Sequence, residues 1–300
     1  MKDSNDRFPF QSRPTQHSLN ESPVECVISG QREPLSSMLP QIALREFASA
    51  KCGATDMSTG TATLVPGARL VYHKHTFSEA VTILRGDASF AVEGRTYHLC
   101  PFDCIHIPCG VAHQVENASD NAELVAHWAF ATSVPSRELT KDDFVVEDRQ
   151  LGNPRAGEPE HIVRFADAPK YELAGGTQFC DLFAGRFGAV GICGGYGEFN
   201  PGCSLPCHIH DYDESITIVA GEAICEVMGQ RYQLKNCDTA FVPRGRAHRF
   251  LNASGDPMAM VWVYAGCEPD RIIIDTRYCA GSLHWTKELA GKANRAIDTV

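Results

Sequence analysis

Gly67-Ala-Arg-Leu-Val-Tyr-His73-Lys-His75-Thr-Phe-Ser-Glu79-Ala-Val-Thr-Ile-Leu-Arg-Gly86 holds two histidines two apart, a carboxylate four residues further on, and a glycine at each end. The same frame returns as Gly202-Cys-Ser-Leu-Pro-Cys-His208-Ile-His210-Asp-Tyr-Asp-Glu214-Ser-Ile-Thr-Ile-Val-Ala-Gly221, every matching position displaced by 135 residues. The match continues without a gap beyond both frames. Tyr97 and Asp103 answer Tyr232 and Asp238, and Pro108, Gly110, His113 and Asn117 answer Pro243, Gly245, His248 and Asn252. A tandem duplication explains this better than chance.

Residues i and i+2 of a strand share a face, so His73 and His75 point to one side, as do His208 and His210. Glu79 and Glu214 follow across a short break, and His113 and His248 arrive from strands far along the chain. Three neutral imidazoles and one carboxylate form a mixed N/O set suited to Fe(II), Mn(II), Ni(II) or Zn(II), with positions left over for water or substrate. A lone histidine is ordinarily a satisfied core or surface residue. Here six of the twelve histidines fall at duplicated positions, each set with a glutamate at the same offset. The spacing predicts one divalent metal per half, held by His73, His75, Glu79 and His113, then by His208, His210, Glu214 and His248.

The surrounding pattern is all-β. Thr61–Val65, Arg69–His75, Ala80–Arg85, Ala88–Val92, Arg95–Leu99, Cys104–Ile107, Ala112–Glu116 and Leu124–Phe130 are short strand-like runs separated by Pro-Gly, Gly-Asp and Glu-Gly turns. Closely spaced strands of this kind build sandwiches or barrels. The chain divides into a polar, proline-punctuated arm at 1–23, a first domain at 24–145, a charged, turn-rich linker at 146–160, a second domain at 161–283, and a tail at 284–300 with a short helix at Lys287–Ala296. Helices are otherwise short at most.

At 300 residues, two domains are expected, and 43% apolar with 21% charged residues is an ordinary globular balance. A formal charge of −10 argues against nucleic acid as partner. No apolar run is long enough to span a bilayer, and the first residues carry no secretory core. Thirteen scattered cysteines without a CxxC pair read as reduced thiols in a cytoplasmic protein. Cys104, Cys109 and Cys207, close to the ligand frames, read as small buried hydrophobes rather than ligands or nucleophiles. The glycosylation-type sequons at Asn20, Asn117 and Asn252 read as coincidental. His106 opposite Phe241 and Arg69 opposite Ser204 would distinguish two pockets if they face inward, and Tyr97 and Tyr232 would line or pack each barrel.

G-x5-H-x-H-x3-E-x6-G followed by P-x-G-x2-H-x3-N is the motif pair that defines the cupins. With both pairs complete in both halves, at about 61–131 and 196–266, the chain resembles a bicupin. One departure is Phe102 and Cys237, where the second motif often opens with glycine. The resemblance implies two tandem jelly-roll β-barrels, each with its metal inside the mouth on the eight residues named above. It also implies a metal-dependent enzyme acting on a small, oxygen-rich organic substrate. A quercetinase-like dioxygenase using iron or a similar metal is the first expectation, with Glu79 or Glu214 as base on a substrate hydroxyl. An isomerase, decarboxylase or aminohydrolase of a sugar or keto-acid is the alternative, and a non-catalytic, pirin-like metal-bound regulator is the reading from another class. Oligomeric state stays open, with a homodimer admitted.

Overall fold

The computed structural model describes residues 24–32, 41–141, 143–147 and 150–283. The arm at 1–23, the tail at 284–300 and the helix expected at Lys287–Ala296 lie outside the described residues. The eight strands expected between Thr61 and Phe130 all form, as Ser58–Leu64, Arg69–Lys74, Glu79–Arg85, Ala88–Val92, Arg95–Leu99, Cys104–Ile107, His113–Asn117 and Leu124–Phe130. Alternation sets their facing: Leu64, Leu124 and Ala126 turn into the same buried cluster as Val81 and Ile83.

These strands assemble into two sheets per domain, stacked as a jelly roll and not closed into one continuous barrel. The first domain sets Cys104–Ile107, Glu79–Arg85, Leu124–Phe130, Ser58–Leu64 and Ile42–Glu46 in one sheet. The other sheet runs Glu138–Leu139, Arg69–Lys74, His113–Asn117, Ala88–Val92, Arg95–Leu99 and Gln150–Leu151. The second domain repeats the plan. Thr239–Val242, Glu214–Ala220, Met258–Tyr264, Cys193–Phe199 and Thr177–Phe183 face Gln230–Lys235, Glu222–Val227, His248–Leu251, His208–Ile209 and Ile272–Ile273. Hairpins and crossings inside each domain keep edge strands few.

Two strands leave their own half. Cys26–Ile28 adds antiparallel to Thr239–Val242 of the second domain, and His161–Val163 adds antiparallel to Cys104–Ile107 of the first. The two are themselves equivalent, 135 residues apart, so the exchange is reciprocal. A buried glutamate precedes each. Glu160 receives Arg95 through Nε and Nη2, both at 2.8 Å, and the Tyr97 hydroxyl at 2.5 Å. Glu25 receives the Tyr232 hydroxyl at 3.2 Å and pairs at 2.5 Å with Arg246. Tyr97 and Tyr232 therefore anchor the exchanged strands. Between the domains, a shared apolar cluster joins Phe47, Met57 and Cys104 to Phe183, Ile192 and Phe241.

Phe102 and Cys237 take left-handed backbone angles, φ 68° and 66°, which is the conformation the missing glycine would adopt without strain. Phe102 offsets that cost by packing against Phe165 and, across the domain boundary, Tyr196, with ring centres 5.2 and 4.9 Å away. Gly30 ends the exchanged first strand, where a Cβ would lie 2.2 Å from the Asn236 carbonyl oxygen, so only glycine fits.

The expectation of fully reduced cysteines is corrected at one pair. Cys207 is disulfide-bonded to Cys279, at a sequence separation of 72. Ile272–Ile273 pairs antiparallel with the ligand-bearing strand His208–Ile209, and the short helix Thr276–Cys279 that follows brings Cys279 to Cys207, a proximity that cysteine spacing cannot reveal. The remaining eleven cysteines are free: Cys104 is buried between the domains, while Cys109 is exposed, contrary to its reading as buried. No helix among the described residues is long and apolar enough to cross a membrane.

Asn117 and Asn252 are buried structural residues. Asn117 Nδ2 donates to the carbonyls of Leu64 and Ala122, and its Oδ1 accepts from Ser119 N–H. Asn252 repeats this with Phe199, Asp256 and Ser254. Asn117→Ala leaves buried backbone groups without partners and is expected to destabilise the protein by on the order of 2–3 kcal/mol. Urea denaturation checks this, and an unchanged midpoint would show the side chain to be incidental.

Candidate metal centres

In each domain, two neighbouring strands bring the first and third histidines face to face: His73 pairs in register with His113, and His208 with His248. The opposing sheet supplies the carboxylate at the first residue of a strand, Glu79 or Glu214. The four ligand atoms of each set lie within 4.8 Å of one another, and all eight residues are buried. A third group, Asp87, His98 and Cys100, is surface-exposed in part and has no such enclosure.

The imidazoles are held in one orientation. Nδ1 of His73, His75 and His113 faces the backbone carbonyls of Val71, Ser136 and Val111 at 2.9, 2.5 and 3.0 Å. His208, His210 and His248 face those of Pro206, Asp270 and Arg246 at 2.8, 2.7 and 2.8 Å. A carbonyl only accepts, so Nδ1 carries the hydrogen and Nε2 keeps its lone pair for the centre. Burial pushes the His73 and His210 rings down to about 4 and holds His208 well below the usual imidazole range, which keeps them neutral. Burial also works against ionisation of Glu79 and Glu214, but His113 and His248, the nearest imidazoles, outweigh it and hold both carboxyls below their usual range.

The donor set fits a divalent ion. Nε2 of His75, His113, His208, His210 and His248 and Oε2 of Glu79 and Glu214 are buried without a hydrogen-bond partner. Such orphaned groups are costly in a protein interior unless a ligand engages them. Glu79 Oε2 stands 3.3 Å from His75 Nε2 and 2.8 Å from His113 Nε2, the crowding expected where one cation is shared.

Two further residues sit at each centre that spacing alone did not single out. Ser136 and Asp270 supply the carbonyls for His75 and His210, and Arg137 and Arg271 follow them directly. Their signal is Pro135-Ser-Arg137 against Pro269-Asp-Arg271, displaced by 134 residues because the loop after the asparagine is one residue shorter in the second half. The positive charge of Arg137 bears on His75, and that of Arg271 on His210 and Glu214.

A family profile described as Cupin domain matches residues 60–130 and again 195–264. The chain is a bicupin. Among solved structures this bicupin is similar to the oxalate decarboxylase of Bacillus subtilis, at 14% identity and a TM-score of 0.65 over 88% of this chain and 84% of that one. It is also similar to the Lactobacillus farciminis oxalate decarboxylase in its formate complex, at 15% identity and a TM-score of 0.68 over 95% and 98% of the two chains. At these identities the likeness is one of fold. No curated protein matches the bicupin by sequence.

The two halves of this bicupin differ in what surrounds the ligands. In the first, His73, His75 and Glu79 line a cavity of 440 Å³ that extends into the jelly roll. Four of its apolar wall residues have larger counterparts in the second half. Leu44, Leu64, Val115 and Ala126 answer Phe179, Phe199, Phe250 and Met260, all buried in that domain's core. Around the rim, Phe77 stacks on His75 at 5.0 Å, whereas its counterpart Tyr212 stacks on His210 and also donates its hydroxyl to the Glu268 carbonyl at 3.1 Å. The disulfide adds a second tie on that side only. His106 and Arg69 do not line the first-domain cavity: His106 lies in the strand that pairs with the exchanged His161–Val163, and Arg69 is exposed.

Proposed function

We propose that this bicupin is a metal-dependent enzyme whose reaction takes place in the first domain, on a small oxygen-bearing organic acid, as a non-oxidative lyase. The observation that carries this reading is the His73–His75–Glu79–His113 set opening directly onto a cavity of ligand size. The second-domain set keeps all four donors buried in a domain whose core carries the larger Phe179, Phe199, Phe250 and Met260, which suits an ion that secures structure. The fold shared along most of the chain with oxalate decarboxylases favours carbon–carbon cleavage with loss of carbon dioxide.

A bound Fe(II), Mn(II), Ni(II) or Zn(II) supplies a Lewis acid that polarises a substrate oxygen. The chain's own residues do the rest. Carbonyl-anchored His73, His75 and His113 aim fixed lone pairs at one point, so little reorganisation is needed on binding. Arg137 brings positive charge to the same end, where a carboxylate would dock. Apolar walls keep water from the reacting carbon. In decarboxylation of a 3-oxo acid the bond to the carboxylate breaks, carbon dioxide leaves, the bonding pair forms a carbon–carbon double bond as the carbonyl π pair moves onto its oxygen, and a proton then takes the vacated position at carbon. Glu79 is the side chain placed to hold or hand on a proton at that oxygen.

Apolar walls also admit dioxygen, and on that observation a quercetinase-like dioxygenase stands as the second reading. A pirin-like regulator needs no chamber beside its ion. Metal analysis followed by parallel assays of carbon dioxide release and oxygen uptake separates these. Release from oxalate or a 3-oxo acid without uptake supports the lyase, and uptake with a flavonol or β-diketone supports the dioxygenase. Absence of metal after growth in supplemented medium would remove the central claim. Chelation of the loaded protein is expected to lower its melting temperature by several degrees as two buried donor sets lose their ions.

A further inference from the structure

The cavity says more about the ligand than its metal end does. Oxalate, for which the structural neighbours are named, is two carbons carrying four oxygens, with no apolar body to match an apolar wall. The first-domain cavity holds 440 Å³, and beyond His73, His75, Glu79, Glu46 and Arg137 its lining is almost entirely aliphatic and aromatic. Apolar surface of that extent is stabilised by apolar contact. Glu46 is already engaged, accepting from Ser49 at 2.9 Å and pairing with Lys51 at 2.9 Å. Arg137 has no ion-pair partner among the described residues, which leaves one cation free for the ligand.

Resting on the metal reading above, we propose that this cavity binds a monoanionic oxo-acid with a substantial apolar tail. The oxygens lie at the His73–His75–Glu79 end beside Arg137, and the tail runs along Leu44, Leu64, Val115 and Ala126. The second domain supports the assignment by contrast, since the side chains that replace these four are larger and all buried in that domain's core. Selectivity for the tail is therefore written in four positions of the first half.

Isothermal titration calorimetry of the full, metal-loaded chain with oxalate, pyruvate, 2-oxohexanoate and 2-oxooctanoate tests this; 2-oxo acids chelate through adjacent oxygens and lose carbon dioxide slowly unaided. Affinity is expected to rise roughly threefold to fourfold per added methylene. Repeating the series after chelation is expected to weaken every ligand and leave that slope in place, because the slope reports the walls and the offset reports the metal. A flat series, or oxalate binding more tightly than 2-oxooctanoate, would overturn the proposal while leaving the metal reading intact. Protein without metal but with the slope would do the reverse. Val115→Phe with Ala126→Met, which carries the second domain's side chains into the first, is expected to abolish the slope while metal content and pyruvate binding persist. Retention of the slope in a folded double variant would show that the tail lies elsewhere. Arg137→Gln is expected to weaken all the acids about tenfold without changing the slope, and unchanged affinity would remove the arginine from the proposal.

Discussion

Replacing His113 with alanine is expected to empty the first-domain centre and leave the second filled, so that bound metal falls by half. His113 contributes one of three neutral imidazoles, and its Nε2 is 2.8 Å from Glu79 Oε2 at the shared point. Its loss removes a donor and releases the carboxylate it holds. Changing a group that only orients a ligand costs about 10–100-fold in metal affinity or activity. Loss of the donor itself should exceed this, with turnover in the first domain reduced more than about 100-fold on the same scale. His248→Ala is the matched control, expected to lose the other ion and some thermal stability with turnover largely kept. Metal analysis and steady-state kinetics on both variants decide the matter. Equal loss of turnover in both would contradict a one-domain reaction, and retention of both ions in His113→Ala would contradict the ligand set.

Glu160→Ala is expected to be among the most destabilising single changes in the protein, on the order of 3–5 kcal/mol, because it strands a largely buried guanidinium. Glu160 is 3% exposed and receives two bonds from Arg95 and one from Tyr97, itself fully buried. Arg95 also reaches Glu158 at 3.1 Å, which tempers the loss without replacing it. The same glutamate introduces the strand His161–Val163 onto the first domain's sheet. Glu160→Gln retains acceptor and donor capacity and is expected to cost about half as much. Guanidinium denaturation of both variants provides the measurement. A change below about 1 kcal/mol for alanine, the scale of an exposed ion pair, would mean that the cluster adds nothing to the exchange.

Much of the site was legible because metal ligation restricts residue type and spacing together. His73, His75 and Glu79 share one short stretch, and the copy at His208, His210 and Glu214 excluded accident. His113 and His248 were legible through the proline, glycine and asparagine around them, although strand pairing is what brings them to the centre. Arg137 and Arg271 were missed for a plain reason: a one-residue difference in the preceding loop shifts the offset from 135 to 134. The cavity was not legible at all. It depends on which of two faces Leu44, Val115 and Ala126 present, and on side-chain volumes summed across six strands. Nor was the disulfide, whose partners meet only because the final segment pairs alongside the ligand strand. His106 and Arg69 attracted notice as mismatches between the halves, yet the mismatches that shape the cavity are apolar for apolar, which composition does not flag.

The reciprocal exchange of Cys26–Ile28 and His161–Val163 has a bearing on how this polypeptide can come apart. Each half completes the sheet of the other, so neither half carries a whole set of strands within its own contiguous residues. One chain thereby holds internally what two single-domain chains would achieve as a swapped pair, with the linker making the partnership permanent and independent of concentration. Partial opening of one half must pull an edge from its neighbour, so an ion held by the second domain's ligand set would also help keep the first in shape.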